Sequence, residues 1–177
     1  MAVETVYVGR RIRVEVDTLQ TAEGRVIHRD AIRHPGAVVI LPVVDADHVV
    51  LLRNYRFVVG ETLWEVPAGT VEPTETLQQC AERELREETG YHAARWRSLG
   101  YIYASPGLLD EKLHLFIAEE LTPGTARPEP DEKLEPIVVR LTEAIRMCLD
   151  GTIRDAKTVT SLLLWERMQR NDGATKA

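Results

Sequence analysis

Apolar and polar residues alternate over residues 3–33, as expected for strands with one face turned to solvent. The predicted strands of this region are residues 3–8, 11–17 and 25–33. Turn-forming residues around Gly9 and Gly24 separate them, and His34-Pro35-Gly36 marks the boundary of the region. The pattern predicts an N-terminal antiparallel sheet extension, residues 1–34, followed by a main domain, residues 35–177.

After residue 36 the alternation gives way to continuous apolar runs, which are typical of strands buried on both faces. The predicted strands of the main domain are residues 37–44, 48–52, 61–66, 96–104, 112–118 and 137–141. The predicted helices are residues 75–88, 143–149 and 156–168. Strands and helices therefore share one domain, and the predicted fold class is α/β (α+β).

The helix predicted over residues 75–88 has recognisable ends. Thr74 is placed as its N-cap, and Gly90 is expected to take the left-handed conformation that ends a helix. At about 100° per residue, one side of the helix is an apolar stripe. The stripe consists of Leu77, Ala81 and Leu85, and the residues predicted to point away from it are Gln79, Glu82, Arg83 and Arg86.

Two carboxylates of this helix, Glu84 and Glu88, fall on the apolar side. Burying a carboxylate is costly unless the group is paired or binds a metal. Glu84 and Glu88 are one turn apart with Glu87 beside them, and such oxygen ligands suit a hard divalent cation such as Mg²⁺. The alternative is a solvated helix face with ion pairs, and the pair Arg83 and Glu87 fits that description.

Composition narrows the class of protein only mildly. With 177 residues the chain has the size of one domain, and its formal net charge of −6 indicates neither a nucleic-acid nor an anionic-membrane partner. Cys80 and Cys148 are expected to be packed thiols in a reducing compartment. No basic-then-apolar leader is seen, and the longest apolar run, residues 37–44, is too short to span a bilayer. A cytoplasmic location is expected.

Residues 69–91 read GTVEPTETLQQCAERELREETGY. The spacing of Gly69, Glu75, Arg83, Glu84, Glu87, Glu88 and Gly90 in this segment resembles the Nudix box. The resemblance implies the Nudix fold, a mixed β-sheet sandwiched between helices. It also implies a divalent metal held by the carbonyl of Ala68 with Glu84, Glu87 and Glu88, and Glu87 is a further candidate in catalysis. Structural roles within the box are implied for Gly69, Glu75, Arg83 and Gly90.

Segments outside the box are HPGAVVILPV, LLRNYRF, LWEVPAG, YIYASPG, DEKLHLFIAEEL and IRDAKTVTSLLL. They are similar to those of the ADP-ribose pyrophosphatase group, in which a proline after the box, here Pro106 with Gly107, accompanies a preference for ADP-ribose. The resemblance implies Mg²⁺-dependent hydrolysis of ADP-ribose to AMP and ribose 5-phosphate, with Mn²⁺ as the alternative metal. It further implies a homodimer that exchanges its N-terminal sheets, both subunits contributing to base binding.

Basic and aromatic residues are the expected substrate contacts. Arg53 and Arg56 are expected to bind phosphate, because a guanidinium group matches phosphate bidentately. Tyr7, Trp64 and Trp96 are each able to stack on a nucleobase, and the sequence does not choose among them.

Two other functions stay open. Within the same chemistry, the alternative substrate is GDP-mannose, another nucleoside diphosphate sugar or an oxidised nucleoside diphosphate. From a different class, the alternative is a Nudix-fold sensor that binds ADP-ribose without cleaving it. Such sensors typically lose a carboxylate of the box, whereas this chain keeps all of them.

An acidic loop before the strand at residues 137–141 is expected to supply the general base, as a loop glutamate does in the resembling group. Counting forward from Pro130 selects Glu132, whereas counting back from the strand selects Glu135. We choose Glu135 because a strand is the more rigid reference and a shift of one residue would turn its side chains to the other face.

Overall fold

The computed structural model describes residues 2–127 and 133–174, and within these ranges it contains ten strands and three helices. The strands are β1 (Ala2–Val8), β2 (Arg13–Gln20), β3 (Val26–Arg33), β4 (Ala37–Pro42), β5 (His48–Arg56), β6 (Glu61–Glu65), β7 (Ala68–Thr70), β8 (His92–Tyr103), β9 (Lys112–Thr122) and β10 (Leu134–Arg140). The helices are α1 (Leu77–Thr89), α2 (Leu141–Leu149) and α3 (Ala156–Ala174). No helix of the described part is both long and apolar enough to cross a membrane.

The N-terminal sheet consists of β1, β2 and β3 in that order, all antiparallel, as predicted. Strand β2 begins at Arg13, two residues later than the pattern indicated. The reason is the turn that precedes it, in which the Gly9 amide donates to the Ile12 carbonyl at 2.8 Å.

A mixed sheet in the order β7-β4-β9-β8 forms the centre of the main domain, with β4 and β9 parallel. Helix α1 covers one face, where Ala81 and Leu85 pack against Val38 and Ile40. Helices α2 and α3 cover the other face. Both faces of β4 are therefore buried, which explains its continuous apolar sequence and confirms the predicted sheet between helices.

A third, antiparallel sheet has the order β10-β5-β6. Its register pairs Asn54 with Leu134 and Arg53 with Glu135. Directly paired residues share a face of the sheet, and successive residues of a strand alternate between faces. Asn54 and Leu134 therefore share the face of Arg56, whereas Arg53 and Glu135 share the other face.

Helix α1 confirms one predicted end and corrects the other. Gly90 is left-handed (φ 77°), and its amide donates to the Arg86 carbonyl at 2.9 Å. The N-cap, however, is Thr76 and not Thr74. Thr76 accepts from the Gln79 amide at 3.2 Å while the Gln79 side chain accepts from the Thr76 amide at 2.9 Å, a reciprocal arrangement that Thr74 has no glutamine to make.

Strand β8 is four residues longer at its start than predicted, beginning at His92. Its first residues, His92 to Arg95, are poor strand formers by propensity. Pairing along β9 as far as Thr122 holds them in the extended conformation.

Candidate active site

A cleft of about 400 Å³ opens where β7 and α1 meet the start of α3 and the segment before β2. Glu84 and Glu87 contribute carboxylates to its lining, and Arg56 and Lys157 contribute cations. Acidic and basic groups from distant parts of the chain thus share one concave surface.

Glycine at position 69 allows Glu84 to reach this cleft. A Cβ at Gly69 would lie 1.8 Å from Glu84 Oε1 and 1.9 Å from its Cδ. No side chain fits there while Glu84 keeps its position, because real Cβ atoms never approach so closely. At Gly69 only backbone atoms therefore face Glu84 of α1.

Arg83 holds the carboxylates of the box together. Its Nη1 donates to Glu84 Oε1 at 2.6 Å and to Glu87 Oε2 at 3.2 Å. Its Nε and Nη2 donate to the two oxygens of Glu75 at 3.1 and 2.7 Å. The predicted outward direction of Arg83 is therefore wrong, because the long side chain folds back over the helix start and is only 24% exposed.

Glu75 braces the loop before α1. It accepts from Arg83 and also from the Glu72 amide at 3.0 Å. Hydrogen bonding to Arg83 is the largest cause that lowers the pKa of Glu75 to about 2, so this carboxylate is ionised across the physiological range.

Glu88 is 4% exposed and contacts the backbone of the loop. Its Oε2 accepts from the Ala68 amide at 3.0 Å. This bond fixes residue 68 beside the helix, so that Ala68, Glu84 and Glu87 face the same cleft.

The basic part of the cleft is organised around Glu65, which is 2% exposed. Arg56 donates to Glu65 from Nε at 2.9 Å and from Nη2 at 2.5 Å. Lys157 donates to the same carboxylate at 2.9 Å. Hydrogen bonding to Glu65 is the largest cause that raises the pKa of Arg56.

The start of α3 is fastened to the end of β6. Asp155 accepts from the Thr158 amide at 3.0 Å and from its hydroxyl at 2.5 Å, which is the arrangement of an N-cap. The Thr158 hydroxyl in turn accepts from the Val66 amide at 2.8 Å. Lys157 is thereby held at the cleft by its own backbone as well as by Glu65.

The donor atoms of the acidic part suit a hard divalent cation. Within residues 2–127 and 133–174, no three His, Cys, Asp or Glu side chains are gathered as a ready metal site, because Arg83 engages Glu84 and Glu87 while Ala68 engages Glu88. The carboxylates of Glu84 and Glu87 and the backbone of Ala68 nevertheless line one cleft, and oxygen donors are the ligands that such cations prefer.

The NUDIX domain family matches residues 33–162, most of the chain. The chain belongs to the Nudix family. It is 34% identical to the ADP-ribose pyrophosphatase of Bacillus subtilis over 92% of this chain and 89% of that protein. It is 36% identical to the GDP-mannose pyrophosphatase of Citrobacter koseri over 75% of this chain and 78% of that protein.

A solved structure of an ADP compounds hydrolase superposes with a TM-score of 0.83. It shares 26% sequence identity and covers 98% of this chain and 94% of that chain. The match extends over the N-terminal sheet as well as the Nudix domain, so the architecture of almost the whole chain is that of a Nudix hydrolase.

Arg53 and Glu135, which were predicted as site residues of this Nudix protein, do not line the cleft. Arg53 alternates with Arg56 across β5 and lies over the Trp64 ring at 5.8 Å, on the opposite face of the sheet. Glu135 pairs with Arg53 and shares that face, where it is exposed. Glu135 is expected in a loop before the strand at residues 137–141, but it lies inside β10, which begins at Leu134. The register of β10 with β5 places Glu135 on the face of Arg53 and not on the face that Asn54 shares with Arg56. The other candidate base, Glu132, lies outside the described residues.

Pro106 and Gly107 lie in a second cavity, of about 350 Å³, next to β3. The loop that carries them is fastened to the N-terminal sheet, because the Ile32 amide donates to the Leu108 carbonyl at 2.8 Å and the Asp110 amide donates back to Ile32 at 3.1 Å. The structure therefore places the specificity-associated proline beside the N-terminal extension and not in the cleft of the Nudix box.

The three aromatic candidates have different surroundings. Trp96 packs edge-on against Phe116 in the core under α1, with ring centroids 6.2 Å apart, and Trp64 packs against the core under α3. Tyr7 is 57% exposed on β1. Tyr7 alone of the three has a ring largely open to solvent.

Glu65, Asp155 and Lys157 were not selected from the sequence as site residues. Glu65 and Lys157 are 92 positions apart, and neither has a periodic pattern that links it to Arg56. The available signal was local: Asp155 precedes a helix as a typical N-cap, which would have placed Lys157 in its first turn.

Proposed function

We propose that this Nudix hydrolase cleaves the pyrophosphate bond of ADP-ribose, giving AMP and ribose 5-phosphate. The observation that carries the proposal is the cleft in which the box carboxylates Glu84 and Glu87 meet the cations Arg56 and Lys157. Such a surface suits a metal-bound diphosphate. The similarity to an ADP-ribose pyrophosphatase over nearly the whole chain supports ADP-ribose as the diphosphate compound that is bound and cleaved.

The chemistry requires that the charge of the diphosphate be neutralised and that water be activated. A divalent cation, which we propose to be Mg²⁺ held by Glu84, Glu87, Glu88 and the Ala68 carbonyl, would supply Lewis acidity and a bound water of lowered pKa. Arg56 and Lys157 would bind phosphoryl oxygens, since both are directed to the cleft by Glu65. Arg83 would keep the ligand carboxylates grouped.

ADP-ribose is expected to have the highest kcat/KM in a panel of nucleoside diphosphate derivatives assayed with Mg²⁺, and EDTA is expected to abolish turnover. The panel should include GDP-mannose, because a GDP-mannose pyrophosphatase is also similar to this chain. A GDP-sugar hydrolysed about tenfold better, equivalent to about 1.4 kcal/mol of transition-state preference, would replace the proposed substrate. Turnover that survives EDTA would disprove the metal requirement.

The general base is proposed to come from outside the β10-β5 pairing. Glu135→Gln is expected to change kcat less than about threefold, because its side chain shares the face of Arg53 and not that of Arg56, whereas removing a true base costs about 10²–10⁴-fold. Glu132→Gln and Glu87→Gln should be assayed beside it. A loss of about a hundredfold in Glu135→Gln alone would show that the strand turns this face toward substrate during turnover.

We propose that the protein acts in the cytoplasm.

We further propose that it forms a homodimer built through residues 1–34. Strand β1 leaves Val3, Val6, Tyr7 and Val8 between 53% and 73% exposed, and apolar strand residues that are so open to solvent need a covering surface. Light scattering should give twice 20.0 kDa, and Val8→Glu should shift the mass toward 20.0 kDa while Glu4→Gln leaves it unchanged. A wild-type monomer at micromolar concentration would contradict the dimer.

A further inference from the structure

Glu65 is the most buried acidic residue of the described chain, yet it lies between Arg56 and Lys157, two of the cations that line the cleft. It belongs to β6, Arg56 belongs to β5, and Lys157 belongs to the first turn of α3. A carboxylate in such a place is costly unless its charge and its oxygens are satisfied. Here three donated hydrogen bonds satisfy it, which indicates that its position has a use.

The geometry of the Arg56 pair is specific. Glu65 accepts from Nε at 2.9 Å and from Nη2 at 2.5 Å, which is a side-on bidentate pairing. This pairing fixes the plane of the guanidinium and uses one of its edges. The Nη1 protons lie on the remaining edge, and Arg56 lines the cleft. The pairing thus leaves a donor edge in a fixed orientation for a phosphoryl group.

Lys157 is held in the same way from the other side. Its Nζ donates to Glu65 Oε2 and to Asp155 Oδ1, both at 2.9 Å. An ammonium group has three protons, so one donor remains for the cleft that Lys157 lines. Without Glu65 the lysine would keep one partner and regain much of its rotational freedom.

We propose that Glu65 is a positioning residue for phosphoryl transfer, which orients Arg56 and Lys157 as a preformed pair of phosphate contacts. The proposal rests on the proposed function of the cleft. The inference goes beyond that function because it makes the rate contribution of Arg56 and Lys157 depend on Glu65, an anion that does not itself contact the substrate.

The ionisation state of Glu65 is consistent with this role. Burial by itself raises the pKa of Glu65, but the hydrogen bonds and charges of Arg56 and Lys157 outweigh it and leave the pKa lower than usual. The carboxylate is therefore ionised while it holds both cations.

The proposal makes a distinctive kinetic prediction. Removing the negative charge of Glu65 strengthens the bare attraction of the two cations for phosphate but removes their alignment. The loss should therefore fall mainly on kcat, with KM changed far less. We expect Glu65→Gln to lower kcat at least about tenfold.

A double-mutant cycle with Arg56→Ala tests the mechanism directly. If Glu65 acts through Arg56, the roughly tenfold effect of Glu65→Gln on kcat/KM should shrink to about threefold or less when Arg56 is already absent. Glu61→Gln is the matched control, since Glu61 is in the same strand but is exposed and pairs with Arg154. Its kinetics should equal those of the wild type. Melting temperature and circular dichroism should be recorded for every variant.

A second variant and a second ligand keep the test independent of folding and of turnover. Glu65→Asp keeps the charge but shortens the side chain, so its smaller loss should also shrink in the Arg56→Ala background. The same cycle should be measured by calorimetry on the affinity for inorganic pyrophosphate without metal, whichever nucleotide the enzyme prefers. The enzyme could fail to hydrolyse ADP-ribose while the cycle on pyrophosphate affinity still shows that the effect of Glu65 depends on Arg56. That pair of results would overturn only the proposed substrate.

Three results would overturn the positioning role. The first is an equal effect of the Glu65 substitutions with and without Arg56, which is the behaviour of a merely structural residue. The second is wild-type kcat/KM in Glu65→Gln. The third is a wild-type protein that does not bind inorganic pyrophosphate, because the two cations would then not be phosphate contacts.

Discussion

Replacing Glu84 or Glu88 with glutamine is expected to lower kcat at least about a hundredfold while the fold survives. Each substitution keeps the size of the side chain and removes the charge of a proposed metal ligand. A factor of about a hundred corresponds to about 2.7 kcal/mol of transition-state stabilisation, the scale for removing one electrostatic contributor. Measurements should be made at saturating Mg²⁺.

The two variants should remain folded for different reasons. A glutamine at position 88 keeps an oxygen that can accept from the Ala68 amide. Arg83 keeps its two bonds to Glu75 when Glu84 is neutralised. Glu82→Gln is the matched control, because Glu82 is exposed on the same helix and accepts from Gln78. Near-normal kcat in either ligand variant would mean that the assigned ligands are wrong.

Gly69→Ala is expected to reduce kcat/KM by about a hundredfold as well, although it adds only a methyl group. The added Cβ would lie 1.8 Å from Glu84 Oε1, so either the carboxylate or the loop must move. The carboxylate moves more easily, since it is the far end of a flexible side chain, and its displacement removes it from the proposed ligand position. Activity should therefore fall much more than the melting temperature.

Gly107→Ala is the steric comparison for this effect, because a Cβ there meets nothing within 4 Å. Gly107 lies with Pro106 in the second cavity, so the two variants are compared by their Mg²⁺ affinity and not by kcat/KM. Equal Mg²⁺ affinities in Gly69→Ala and Gly107→Ala would contradict the account of the Gly69 contact. Titration of Mg²⁺ binding by calorimetry gives an independent readout, in which Gly69→Ala should bind the metal more weakly than wild type.

The sequence predicted the elements well where local chemistry determines them. The buried strand β4 is apolar at every position because both of its faces are covered, and Gly90 ends α1 because it readily adopts a positive φ. The box itself placed Glu84 and Glu88 on the buried side of α1. These features depend on residues that are close in the chain.

Predictions that depended on tertiary register were less successful. Arg53 and Arg56 are both expected from the sequence to bind phosphate, but the pleat of β5 turns them to opposite faces. The same pleat removes Glu135 from the cleft. Lys157 comes into the site only through the docking of α3 on β6, which no local pattern encodes. Which face of a strand is functional is decided by the packing of other elements.

The pairing of Glu65 with Lys157 also has a consequence for the order of events during synthesis. The two residues are 92 positions apart, so at about 5–20 residues per second the ribosome adds Lys157 roughly 5–20 s after Glu65. Until α3 has been made, β5 and β6 carry a carboxylate that has Arg56 but lacks its second cation. The nascent Nudix box can therefore form its helix first, whereas the phosphate-binding side of the cleft is completed only after Lys157 has been added.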